Sequence, residues 1–458
     1  MSQAFSALSL PQPLLENLDS LNYQAMTPIQ SASLPFILKG QDVIAQASTG
    51  SGKTVAFSVG LLTKLDEQDS RVQALVLCPT RELAEQVSTE IRRLARYKDN
   101  IKVLTLYGGV PLASQVASLR HGAQVVVGTP GRILDHMLRR NLDLGAVSTL
   151  VLDEADRMLD MGFAEEIAAV TTATSKQRQT LLFSATYPAQ IAQISADIQR
   201  DPEQVKVASL HDASSITQRC YEVSKDNRLA TAQALLTHFS PQSAIVFCNS
   251  RIDCQQLAEQ LSEKGFSAAP LHGDMEQAAR QEVLIQFASR SLCLLVATDV
   301  AARGLDIEDV DLVLNYQVSA DPEVHVHRIG RTGRAGNKGL ALTLCSPEET
   351  KWAAAIEEYQ QQKFNWADAG KLRFKAGGIT EPLYRTLRME GGRKQKIRPG
   401  DILGALTKDA GIGSEDIGKI SLAQNCSYVA VKMRSVKRAM AHFREGKLKG
   451  KRIRARKL

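Results

Sequence analysis

Aromatic residues are scarce, 5% of 458 positions, and no apolar run nears the roughly 18 residues that a membrane-spanning helix needs. No membrane span is therefore expected. Met1 to Leu10 has neither a basic start nor an apolar core, so no signal peptide is expected either. Cysteine is sparse and unpatterned. Cys78, Cys220, Cys248, Cys254, Cys293, Cys345 and Cys426 are odd in number, and no Cys-x-x-Cys pair occurs. This argues against a zinc ribbon or a disulfide framework, and the cysteines read as reduced core residues of a cytoplasmic protein. Net positive charge is confined to the C-terminal fifth. Lys371–Leu458 carries 23 Lys+Arg and 7 Asp+Glu, net +16 against +7 for the whole chain, which leaves the remainder at −9. Such asymmetry predicts a nucleic-acid-binding appendage on a more acidic body. The length is too great for one core, and about three domains are expected.

What is present centres on Leu150-Val151-Leu152-Asp153-Glu154-Ala155-Asp156. A short apolar run ending abruptly in acids reads as a buried strand of a parallel sheet, with carboxylates at its carboxyl end. Open α/β sheets bind ligands there. Taken alone, it also reads as a solvated strand end. Upstream, Val43-Ile44-Ala45 leads into Ala47-Ser48-Thr49-Gly50-Ser51-Gly52-Lys53-Thr54 and an apolar helix over 55–65. Strand, glycine-rich loop and helix stand where a phosphate-binding loop needs them. Its backbone amides wrap phosphates, Lys53 reaches the β- and γ-phosphates, and the Thr54 hydroxyl joins Mg²⁺. Thr27-Pro28 starts a capped helix, on which Gln30 alone is simply a polar residue. Further strands end in Pro79-Thr80-Arg81, Gly108-Gly109 and Gly128-Thr129-Pro130-Gly131-Arg132. Small, hydroxyl and arginine groups on one sheet edge suit a phosphodiester backbone. Ser184-Ala185-Thr186 ends another strand, as a cap or as a relay beside the acids.

The plan then recurs. Ala74–Cys78 resembles Ala244–Cys248, Val127–Thr129 resembles Val296–Thr298, and Val151–Asp153 resembles Val313–Asn315, at offsets of 170, 169 and 162 residues. A near-constant offset predicts two copies of one α/β fold. The second copy has no phosphate loop. It carries Leu271-His272-Gly273-Asp274, Ala297 to Asp306, and His327-Arg328-Ile329-Gly330-Arg331-Thr332-Gly333-Arg334. The arginines read as a solvated face or as arginine fingers toward a nucleotide. Beyond a basic linker, the order strand (381–388), helix (399–410), strands (417–422 and 427–432), helix (435–445, Ser435 as cap) and strand (447–458) matches an RNA-recognition module. Its usual stacking aromatics are missing except for Tyr428. Its charge lies in Arg393, Lys394, Lys396 and Arg398, and in Lys449, Lys451, Arg452, Arg454, Arg456 and Lys457.

On these motifs the chain resembles the DEAD-box family of RNA-dependent ATPases and helicases over roughly residues 1–365, and with its appendage the bacterial DEAD-box protein A subfamily. Met26 and Val326 are mild departures from the family pattern. The resemblance implies two tandem RecA-like parallel-sheet domains (1–207 and 216–362), a linker (363–380) and a small α+β RNA-recognition-like domain (381–458). It implies ATP and Mg²⁺ as cofactors. Phe5, Gln30, residues Ser48 to Thr54, Gly304 and Asp306 would contact the nucleotide. Asp153, through water, and Thr54 would hold the metal. Glu154 would activate water, with Lys53, Asp153, Arg331 and Arg334 completing the catalytic set. Arg81, Gly109, Thr129, Arg132, Gly273 and Thr298 would line the RNA path, with Lys451, Arg452 and Arg454 binding RNA in the appendage. Ser184, Thr186, His327 and Arg328 would couple hydrolysis to RNA. The implied partner is a structured 23S ribosomal RNA hairpin in a pre-50S particle, met by a monomer. An ATP-gated RNA clamp that seldom unwinds shares the same residues; a DNA translocase fits Asp153–Asp156 and Gln30 less well.

Overall fold

Runs of four to seven residues, nearly all apolar, become the inner strands of two parallel sheets. The computed structural model describes all residues except 1–2, 48–49, 188, 208–215, 303–309, 334–337, 371, 446–447 and 449–452. The first sheet is built from β1 (Val43–Gln46), β2 (Ala74–Leu77), β3 (Val103–Leu106), β4 (Val125–Gly128), β5 (Thr149–Asp153), β6 (Gln179–Ser184) and β7 (Glu203–Lys206). Every pair is parallel, in the order β3-β4-β2-β5-β6-β1-β7. Along β5, Val151 enters one apolar cluster while Leu150 and Leu152 enter the other. Both faces are therefore covered, as a parallel sheet crossed by helices requires. Each such side chain, fully buried, contributes about 1.5–3 kcal/mol.

The second sheet comprises β8 (Ile216–Glu222), β9 (Ala244–Cys248), β10 (Ala268–Leu271), β11 (Leu294–Thr298), β12 (Leu312–Asn315), β13 (Gly339–Cys345) and β14 (Asn365–Ala367). Its order, β10-β11-β9-β12-β13-β8-β14, repeats the first strand for strand. The three sequence resemblances fall on the equivalent pairs β2/β9, β4/β11 and β5/β12. The two folds are one architecture used twice. β14 lies inside the stretch read from sequence as linker. It pairs in parallel with β8 as an edge strand, and three residues are too few to show a period.

The third sheet is antiparallel: β15 (Tyr384–Met389), β16 (Ile417–Leu422), β17 (Ser427–Lys432) and β18 (Ala455–Lys457), ordered β16-β17-β15-β18. Leu387, Met389, Val429 and Val431 face the helices of this module. The helix expected over 399–410 is α-helical over Pro399–Gly404 and a π-turn over Ala405–Asp409. Ser435 stands immediately before the helix Val436–Glu445, and its hydroxyl donates to Asp416 Oδ2 at 2.6 Å, where Arg434 also binds. The last strand is shorter than expected, Ala455–Lys457 among the described residues.

The chain forms two compact units: the first holds residues up to 210, and the second holds the second parallel sheet together with the antiparallel module. No helix among the described residues is long and apolar enough to cross a membrane. All seven cysteines are free thiols, and all but Cys426 are buried.

Candidate active site

The carboxyl end of β5 delivers Asp153 and Glu154 into a buried pocket of charge. Asp153 is 3% exposed; burial pushes its carboxyl up to about 7, while Lys53 opposes the shift. Lys53 opens the helix Lys53–Lys64, and its ammonium donates to Ala47 O at 2.8 Å across its own loop. Gly52 precedes it with φ +94, and a Cβ there would lie 2.5 Å from Gln30 Nε2. Only glycine fits both the left-handed backbone and that approach. Thr54 is half-buried one residue further on. Left-handed glycines, a helix N-terminus, a lysine and a hydroxyl form a cradle whose chemistry fits a nucleotide phosphate.

Gln30 is both the polar helix residue and a neighbour of the loop. Its Oε1 accepts from Thr27 N at 2.8 Å in a capping box, and its Nε2 donates to Gly52 O at 3.0 Å. Phe5 is buried in the core cluster that includes Leu14, Met26 and Ile29.

Asp156 ties β5 to β6. Its Oδ2 accepts from Ala185 N (3.1 Å), Thr186 N (2.9 Å) and Thr186 Oγ1 (3.0 Å). Burial works against this charge, but Lys53, these donors and Arg157 hold the carboxyl below its ordinary value. Ser184, at the end of β6, is buried beside them.

The same sheet edge gathers the expected phosphodiester contacts. Arg81 opens the helix Arg81–Leu94, and Gly109 takes φ +81. A Cβ on Gly109 would lie 2.2 Å from Arg81 Nη1, and one on Gly108 would lie 3.9 Å from Arg132 Nη2. Both guanidiniums thus lie over the glycine pair. Arg132 is steadied by Gln115 Oε1 at 3.1 Å and starts the turn after Thr129. In the second unit, Gly273 and Thr298 stand at the ends of β10 and β11, the equivalent edge. A Cβ on Gly273 would meet nothing within 4 Å.

His327, Arg328 and Arg331 line one cleft with Asp299 and Phe247. Arg328 is spent within its own unit. It binds Asp299 through Nε (2.6 Å) and Nη2 (2.7 Å), Gln317 O (2.8 Å) and Asn249 Oδ1 (2.7 Å). The ends of β9, β11 and β12 are thereby locked together. Ser48, Thr49, Gly304, Asp306, Arg334, Lys451 and Arg452 lie outside the described residues.

The chain matches the DEAD/DEAH box helicase family over residues 27–194, the helicase conserved C-terminal domain over 227–336 and the DbpA RNA binding domain over 386–457. It is 50% identical over 456 residues to the ATP-dependent RNA helicase DbpA of Escherichia coli, covering 99% of both chains. The chain belongs to the DEAD-box ATP-dependent RNA helicases. It is also 43% identical to the DEAD-box ATP-dependent RNA helicase CshA of Bacillus subtilis, covering 80% of this chain and 74% of that one. Among solved structures it resembles S. cerevisiae Dbp5 bound to RNA and ADP BeF3, with 30% identity, TM-score 0.73, and coverage of 81% of this chain and 96% of that one. As a DEAD-box helicase it uses ATP and binds RNA.

In this DEAD-box helicase the outer face of the antiparallel sheet is also covered. Thr386, on β15, is 1% exposed and hydrogen-bonds Ser289 Oγ (3.0 Å) and Ser291 Oγ (2.8 Å) of the second RecA-like fold. Glu282, on the helix Gln277–Ala288, takes both Arg456 Nη2 contacts at 3.1 Å and lies 3.2 Å from Arg388 Nε. Tyr428, the one candidate stacking ring, is buried at 4% exposure. This seam was missed in sequence, because hydroxyls on an alternating strand read as a solvated face. Exposed basic groups of the module include Arg393, Lys394, Lys396 and Arg398 in the loop after β15, and Arg454.

Proposed function

We propose that this helicase acts locally on structured 23S ribosomal RNA in the cytoplasm during large-subunit assembly, as a monomer directed to an rRNA hairpin of a pre-50S particle by its C-terminal module. The observation that carries the reading is the end-to-end match to E. coli DbpA, appendage included. The buried sheet face supports it further, since it leaves the module's exposed basic groups, the 393–398 loop and Arg454 among them, to grip a folded RNA by its backbone.

In the hydrolysis step, Lys53 and the loop from Ser48 to Thr54 bind the phosphates, with Gln30 and Phe5 toward the base and Gly304 and Asp306 contributing from the second fold. Mg²⁺ would be held by Thr54 and, through water, by Asp153; when bound it neutralises charge on the β- and γ-phosphates. One carboxylate plus phosphates is how Mg²⁺ is usually held, and among the described residues no group of three or more metal-type ligands gathers. Glu154 orients the attacking water. Arg331 and Arg334 supply positive charge to the transition state, worth about 10³–10⁵-fold for such arginines. Asp156 joins Ser184 and Thr186 to the acids, and with His327 and Arg328 these link RNA binding to turnover. Arg81, Gly109, Thr129 and Arg132, with Gly273 and Thr298, hold the RNA backbone, with Lys451, Arg452 and Arg454 in the module.

The test is R393E/K394E/K396E. It should abolish the ATPase preference for hairpin-bearing 23S RNA over plain RNA while leaving stimulation by plain RNA. An unchanged preference would sink the hairpin assignment.

A further inference from the structure

Glu154 is held more tightly than a strand-end acid needs to be. It precedes the short helix Ala155–Asp160 with φ 56 and ψ 52, a left-handed conformation that non-glycine residues rarely adopt and that carries strain. Such strain persists only where the surroundings over-determine it. Here the surroundings are Arg157. Its Nη1 donates to Glu154 Oε2 at 2.7 Å, with the two side chains 3% and 5% exposed. An arginine fork commonly takes both oxygens of a carboxylate. This one takes a single oxygen. Glu154 Oε1 makes no hydrogen bond among the described residues and is not among the buried unpartnered atoms, whereas Arg157 Nη2 is.

Stability does not explain this arrangement. A buried ion pair is often no better than an apolar pair of the same volume, and an unpartnered buried N–H adds a cost. The anchor beneath it is firm. Asp156 Oδ1 accepts from Arg157 N at 3.0 Å, while the other Asp156 oxygen binds Ala185 and Thr186. The end of β6 therefore fixes the start of the helix that carries Arg157.

We infer that Arg157 is the positioning residue of Glu154: it fixes one carboxylate oxygen so that the other is presented to the attacking water. This rests on the role of Glu154 proposed above. Arg157, 3% exposed, pairs directly with Glu154 and acts on the water through it. Asp156 passes the position of Thr186 to the same helix, so a shift of the Ser184–Thr186 segment reaches the carboxylate through Arg157.

The experiment compares RNA-stimulated ATP turnover of the full chain with R157Q, R157K, E154Q and E154Q/R157Q. Misplacing a catalytic group by about 1 Å costs roughly 100-fold. R157Q should therefore lose about 10- to 100-fold in kcat with the KM for ATP and the affinity for ADP unchanged. R157K, which keeps one charged donor, should be lowered less. In the E154Q background R157Q should add nothing, because the residue through which it acts is gone. If E154Q itself turned over normally, the reading of Glu154 would fail first. Were E154Q inactive but R157Q or R157K at wild-type kcat, only the role of Arg157 would fail. It would fail equally if nucleotide affinity fell in step with kcat, or if R157Q cost the same in both backgrounds. R157K keeps the buried charge paired, so it decides the matter should R157Q not fold.

Discussion

Replacing Thr386 with valine removes one hydroxyl from the seam between the C-terminal module and the second RecA-like fold and leaves its shape nearly unchanged. Two hydrogen bonds go with it, to Ser289 Oγ at 3.0 Å and Ser291 Oγ at 2.8 Å. Each buried bond is worth about 0.5–1.5 kcal/mol net, so the loss is about 1–3 kcal/mol. Ser289 keeps Ile285 O and Gln286 O as acceptors, which places the loss toward the lower end. Thr386→Glu goes further, forcing a carboxylate into a position 1% exposed, and an unpaired buried charge costs several kcal/mol. Neither change touches Leu387, Met389 or Val429, which pack on the other face. Amide exchange over Tyr384–Met389 and Ser427–Lys432, measured beside hairpin-stimulated ATPase, reads the outcome. Valine should lower protection at the seam. Glutamate should release the module, keeping hairpin affinity while the hairpin's advantage in ATPase disappears. Unchanged exchange in the glutamate variant would refute docking through this face.

Arg328→Ala should destabilise the second unit by about 3–5 kcal/mol in urea, because it leaves Asp299 and the strand-end acceptors unpaired; a loss within the ordinary surface range would show that the network is not structural. His325 is fully buried, and burial, with Arg328 adding, pushes its imidazole down to about 3 from 6.5. The unfolded chain binds a proton below about pH 6.5 that the folded chain refuses, so its contribution is whole above that pH and falls with acidification, by about 2 kcal/mol at pH 5. His325→Gln should flatten this part of the slope between pH 7 and 5, and identical slopes would contradict it. Gly109→Ala must displace the Arg81 guanidinium, whose Nη1 lies 2.2 Å from the added carbon. Equilibrium RNA binding should weaken while ADP affinity holds; unchanged RNA binding would remove Arg81 from the path.

The sequence was most legible where the backbone is buried and ends in chemistry. β5 and the phosphate loop could be placed because apolar runs turn abruptly into acids and glycines. The paired resemblances located the second sheet because equivalent strands keep equivalent residues. The edge strands β7 and β14 were hidden: they are short and partly polar, and pairing with β1 and β8 makes them strands. Arg157 was overlooked because a cation following acids on a helix reads as a solvated face, and only its 3% exposure reverses that reading. Thr386 and its serine partners are 97 and 95 residues apart, so no local pattern could join them. Gln30 was legible as a helix residue, while its bond to Gly52 depends on a contact 22 residues away.

The claim that the C-terminal module directs this helicase to a 23S rRNA hairpin is tested most directly by crosslinking the full chain to RNA in cells and sequencing what it holds. The account predicts reads concentrated on one hairpin of 23S rRNA and its flanking helix, dispersed by R393E/K394E/K396E. Reads spread over messenger and ribosomal RNA alike, unchanged by that variant, would contradict it.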